Sequence, residues 1–145
     1  MVRLVLLADD CGQALLEFAL TIPIVLVVLF GIFDFGRAMY TYDMVTSAAR
    51  VGARYAIVHG SSCTPAPACT ATSAVIQTYV RSVVAGANSN SFNVSATWPA
   101  ATGCSGGTAT PQCPVSVSAS YPFAFLLWSS LTIRMTSTSQ MVISR

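Results

Sequence analysis

This chain has no lysine, a single histidine, and no aspartate or glutamate after Asp43. Each absence excludes something. All five acids, Asp9, Asp10, Glu17, Asp34 and Asp43, sit near the start, so the rest of the chain offers no side-chain carboxylate for general acid or base work or for holding a metal ion. His59 stands beside Gly60 where a long helical pattern ends, a capping or surface position rather than that of a base or ligand. No Ser/His/Asp or Cys/His arrangement has a visible partner, and no glycine loop is built to cradle phosphate. Seven arginines and a net charge of +2 form no basic patch, which argues against nucleic-acid binding. The expectation is a non-enzyme: catalytic residues none, cofactors none, metal ligands none, no nucleic acid and no small-molecule substrate.

Charge of either sign is scarce. Only 8% of residues are charged and 54% are hydrophobic, against about 25% charged in an ordinary soluble domain. Residues 14–33 carry one charge, Glu17, and at about 1.5 Å of rise per residue they reach roughly the 30 Å of a bilayer core. Past this span the pattern becomes Phe35, Ala38/Met39, Tyr42, Val45, Ala49, Gly52/Ala53 and Ala56, an apolar stripe at helical spacing. Its opposite face holds Asp43, Ser47, Arg50 and Arg54. The same helix is expected to leave the membrane as an amphipathic stem. Asp34 and Arg37, three apart, read as an exposed interfacial pair.

The first twelve residues fit an ordinary secretion signal poorly, because the apolar run is short and Asp9 and Asp10 follow it. A different processing signal fits better. Gly12 immediately precedes the apolar helix, with Gln13 next, Glu17 as the fifth residue after the glycine and Phe18 as the sixth. This resembles the type III leader of type IV pilin-like proteins, which a prepilin peptidase cuts after the glycine. The longer run, with EFAL at 17–20, Pro23, GIFDFGRAMY at 31–40 and AARVGARYA at 48–56, resembles the TadE-like family of pseudopilin-like proteins of tight-adherence (Flp) pilus systems. The family leader is usually short and basic, whereas this one has Arg3 and two acids.

The resemblance implies processing at Gly12 and Gln13 and an assembly role for Glu17 and Phe18. A carboxylate inside a span costs on the order of 2.5 to 3.5 kcal/mol at the membrane centre and less near the interface, so a partner is expected. Cleavage would create one, the new α-amino group of Gln13; in pilins, the resemblance implies, that glutamate meets the amine of a neighbouring subunit. The plainer alternative is an acid favoured by the dipole at a helix start.

After His59 the chain changes character. A Pro-rich loop holds Cys63 and Cys69, and a Gly/Thr-rich loop holds Cys104 and Cys113. A second helix is expected over 73–85, ended by Gly86, with Val75/Ile76, Tyr79/Val80 and Val83/Val84 on one side. Alternation predicts strands over Phe92 to Trp98, Val115 to Tyr121 and Leu131 toward Ile143. Between the last two lies an apolar patch, residues 121–128, read as core or as a contact surface. The fold class is α+β: a long transmembrane and amphipathic helix carrying a small head of one helix and a roughly three-stranded antiparallel sheet. Its expected divisions are a leader-like 1–12, a span at 13–33, a stem at 34–59 and a head at 60–145.

Two signals for orientation disagree. Arg37, Arg50 and Arg54 after the span, against Arg3 before it, direct the head into the cytoplasm by the positive-inside rule. Two local cysteine pairs after the span and lone Cys11 before it favour an oxidising outer compartment, while the spacings do not suit zinc. Four cysteines permit three pairings, of which pairing within each loop is simplest. The cysteines and the family resemblance together give a single-pass protein of the bacterial inner (cytoplasmic) membrane with its head outside. On this reading its partners are the membrane, a prepilin peptidase, other pilin-like subunits and pilus assembly proteins. The other reading is an uncleaved, single-span envelope protein whose periplasmic head binds a partner.

Overall fold

The computed structural model describes residues 6–63, 69–84, 91–107, 109–126 and 130–144, with the backbone alone at 6–11. Five elements follow in order: α1 (Leu6–Val58), α2 (Ser73–Val83), β1 (Asn93–Thr97), β2 (Pro114–Ala124) and β3 (Thr132–Val142). This is an α+β chain with one long N-terminal helix, one further helix and a three-stranded antiparallel sheet of order β1-β2-β3. Contacts divide it into two units, Met1–Arg37 and Ala38–Arg145.

In the first unit α1 is an apolar helix with Pro23 inside it. Its side chains are largely exposed, including Leu15, Leu16, Phe18, Ile24 and Ile32. The segment Gly12–Val58 contains a stretch long and apolar enough to cross a membrane, and none of that stretch is buried.

The second unit is built on the C-terminal part of α1. Val45, Ala48, Ala49, Ala53 and Ala56 are buried against Ile76 and Val80 of α2, Val94 and Ala96 of β1, and Val115, Val117 and Ala119 of β2. Small residues along α1 let the helix lie close to the sheet, and Gly52 sits at a point of close approach. A Cβ added there would stand 2.9 Å from Val117 Cγ1, 3.2 Å from Val80 Cγ2 and 3.3 Å from Ile76 Cγ2. The early part of the expected stripe behaves differently. Phe35, Met39 and Tyr42 are exposed, and the buried face runs instead through Thr41, Val45 and Ala48. Asp43, Ser47, Arg50 and Arg54 lie on the exposed face as the periodicity requires.

Helix α2 is capped by Thr72, whose side chain accepts the Val75 N–H at 3.4 Å, and it ends at Val83. Ile76 and Val80 face the core, while Val75, Tyr79 and Val83 are exposed, so the buried stripe is narrower than expected. The expected stop at Gly86 lies outside the described residues. Gly60 does not close α1 in a left-handed conformation; among the described residues only Gln112, Gly103 and Gly107 have positive φ. The His59 carbonyl instead accepts the Ala71 N–H at 2.7 Å, and the His59 ring stacks on Tyr55, which stacks on Tyr79.

The strands alternate as their sequences demand. Val94 and Ala96 of β1 pair with Ala119 and Val117 of β2 on the inner face, and β3 sets Met135, Ser137, Ser139 and Met141 beside that row. The outer face is a lattice of hydroxyls: Ser95 and Thr97, then Ser116, Ser118 and Ser120, then Thr136 and Thr138. Strand β2 is longer than its alternation alone suggested, running through Pro122 to Ala124. Pairing with β1 ends at Asn93–Ser120, so beyond that point the proline interrupts no ladder on the β1 side. The apolar patch is thereby split. Phe123 is buried with Phe125 edge-on at 5.3 Å, Leu126 is exposed, and residues 127–129 lie outside the described residues.

Candidate functional site

The expected processing and assembly residues fall in consecutive turns of α1. Gly12, Gln13, Glu17 and Phe18 are all exposed, and nothing lies within 4 Å of a Cβ placed on Gly12. Gln13 and Glu17 are one helical turn apart and therefore on one face, where Cβ atoms stand about 5–6 Å from each other. The helix starts at Leu6, so the Gly12–Gln13 peptide lies within helical backbone. Thr21 Oγ1 donates to the Glu17 carbonyl at 2.7 Å, which uses the hydroxyl on the backbone and leaves the carboxylate uninvolved in that bond.

Asp34 and Arg37 do pair, with Nη1 to Oδ1 at 3.1 Å. The expected exposure of the pair holds for Arg37 alone. Asp34 is only 6% exposed, and a buried carboxylate requires such a cation close by.

The four cysteines after the helix form two local disulfides, Cys63–Cys69 and Cys104–Cys113, with Cα separations of 5.9 and 5.6 Å. Each closes a short loop, with sequence separations of 6 and 9. The second sits where β2 begins: Ile143 N–H donates to the Cys113 carbonyl at 2.9 Å, and Gln112 N–H to the Ile143 carbonyl at 2.8 Å. The disulfide thus ties its loop to the junction of β2 with the end of β3.

Against known families, a match covers residues 12–54, and the matching model is described as TadE-like protein. These residues form a TadE-like segment. It begins at the glycine that opens the apolar run and ends on α1 within the part that carries the head core. The match covers the apolar helix and part of its continuation and leaves the rest of the chain unmatched. No curated protein and no solved structure matches the chain significantly.

Sequence reasoning missed the fastening of β1. Arg81 donates to the Phe92 carbonyl from Nε at 3.1 Å and from Nη2 at 2.8 Å, and the Ser73 hydroxyl accepts the Ala96 N–H at 3.1 Å. Both side chains come from α2. A helix reaching over the edge of the strand that follows it leaves no periodic trace; only the basic residue in the last turn of α2 hinted at it.

Proposed function

We propose that the chain is a TadE-like pseudopilin or minor pilin that serves in assembling a Flp-type, tight-adherence pilus and has no enzymatic activity. The overlap of the TadE-like match at residues 12–54 with a helix long and apolar enough to cross a membrane carries this reading. In this mechanism a prepilin peptidase removes residues 1–12 on the cytoplasmic side. The mature helix stays in the inner membrane, and the disulfide-bearing head stands outside. Glu17 then accepts the α-amino group of Gln13 from a neighbouring subunit. The attraction is large where lipid excludes water, and it offsets the cost of holding a carboxylate below the interface. Pilin-like neighbours and the pilus assembly proteins are the partners.

Gly12→Ala is expected to block the mobility shift of processing, and Glu17→Ala is expected to leave processing intact while abolishing pilus output. Unchanged processing in the first variant and unchanged pili in the second would remove the reading.

One observation favours the second reading, an uncleaved single-span envelope protein. The helix runs back through Gly12 to Leu6, so a peptidase has to unwind about a turn or more to reach the bond. Full-length protein carrying Met1 in cells with an active prepilin peptidase would select it.

A further inference from the structure

The core does not use all the apolar residues where β2 turns into β3. Phe123 is buried, yet Ile133, its partner across the two strands, is 48% exposed. Leu126 and Leu131, just beyond the last strand pair Ala124–Thr132, are 57% and 52% exposed. Large apolar side chains grouped and exposed in this way mark a surface that meets something apolar.

The packing of the head fixes which end of it carries this tip. Ser144 N–H donates to the Ile57 carbonyl at 3.1 Å and Ile143 N–H to the Cys113 carbonyl at 2.9 Å, so the start of β2 lies by the end of α1. Gly52 then meets Val117, so β2 runs forward as α1 is followed back. From that contact Ala38 is fourteen residues back along the helix, about 21 Å, and Ala124 is seven residues on along the strand, about 24 Å. The tip therefore stands at the end of the head where α1 enters it. The span read from the sequence ends at Phe33, five residues before Ala38. Five residues reach at most about 18 Å, so a bilayer holding the span lies within that distance of Ala38 at whatever angle the two units meet.

We propose that the tip carrying Leu126, Leu131 and Ile133 docks on the surface of the membrane that anchors α1, with these three side chains in the interfacial region of the bilayer. Burying them removes apolar area from water, and the tether makes the contact intramolecular, so little freedom of translation is lost in forming it. A protein partner has to be recruited, whereas the chain itself brings the bilayer within reach.

The charge of the head is compatible with a lipid surface. No side-chain carboxylate follows Asp43, so none in the tip has to leave water. From Ala38 onward the chain has five arginines against that one acid, an excess that anionic headgroups attract. This inference rests on the anchoring of α1 in a membrane and not on processing at Gly12.

The test is lipid photo-crosslinking of the full chain reconstituted in nanodiscs of phosphatidylcholine and phosphatidylglycerol. A photoreactive residue replaces in turn Leu126, Leu131 and Ile133, then Leu26 in the apolar run and the exposed Gln140 near the far end of β3. Lipid adducts, read by mass, are expected at the first four positions, with at least about tenfold fewer at 140. Leu131→Asp combined with Ile133→Asp is expected to cut the adducts at 126 at least about tenfold, while both disulfides still form and the adducts at 26 stay unchanged. Adducts at 26 with none at 126, 131 and 133 would overturn the proposal and leave the anchor standing; none at any position would remove both. Tip adducts to protein instead of lipid, a yield at 140 equal to that at 131, or a yield unchanged in the double variant would also overturn it.

Discussion

Gly52 is the residue on which the head's packing turns most sharply. Alanine there gains about 1 kcal/mol of helix propensity but forces a methyl group against Val117, Val80 and Ile76, and overpacking of this kind costs typically about 1–3 kcal/mol. Two of the three neighbours are stiff β-branched valines, so the loss is expected to win by about 1 kcal/mol. Gly36→Ala, with nothing within 4 Å, is the control and is expected to be neutral or stabilising in the same thermal melt. Arg81→Met removes two bonds to the Phe92 carbonyl and is expected to cost about 1.5–3 kcal/mol, the range for hydrogen bonds to charged groups. Phe92, 1% exposed, is expected to cost about 3–5 kcal/mol as alanine. Not all of these residues were equally legible. The alternation around Phe92 announces burial, and the small residues from Ala48 to Ala56 announce a close approach. The partner of Arg81 depends on how the chain turns back between α2 and β1, which no periodic pattern encodes.

Among the elements, the strands and the long helix could be read because their periods are strong. The errors came where tertiary context decides. Apolar residues continue the stripe on α1 back to Phe35 and Met39, yet both are exposed. The apolar run at 121–128 hid the end of β2, since a proline inside it reads as a break; here it falls past the end of β1, where a missing N–H is tolerated. At this scale the disulfides make a definite claim. A closed loop of about ten residues removes roughly 2.7 kcal/mol of unfolded-state freedom in the chain-entropy account. Replacing Cys104 and Cys113 together by serine is expected to lower the melting temperature by about 10 °C or more, given about 4–8 °C per kcal/mol for a domain of this size. Retention of the melting temperature would mean that the bond contributes nothing to the head.

For the whole molecule, the sequence carried the division between an apolar anchor and a cysteine-bearing head but left its orientation contested, because arginines follow the span and cysteines follow it too. Formed disulfides fit an oxidising compartment. After mild reduction of intact spheroplasts, a membrane-impermeant thiol reagent is expected to label Cys63, Cys69, Cys104 and Cys113; labelling only after lysis would place the head inside. The account as a whole stands on the bond after Gly12. Its most direct measurement is the N-terminal residue of the protein extracted from membranes of cells that make the pilus. The pseudopilin account requires a mature chain starting at Gln13, and a chain that still starts at Met1 would contradict it.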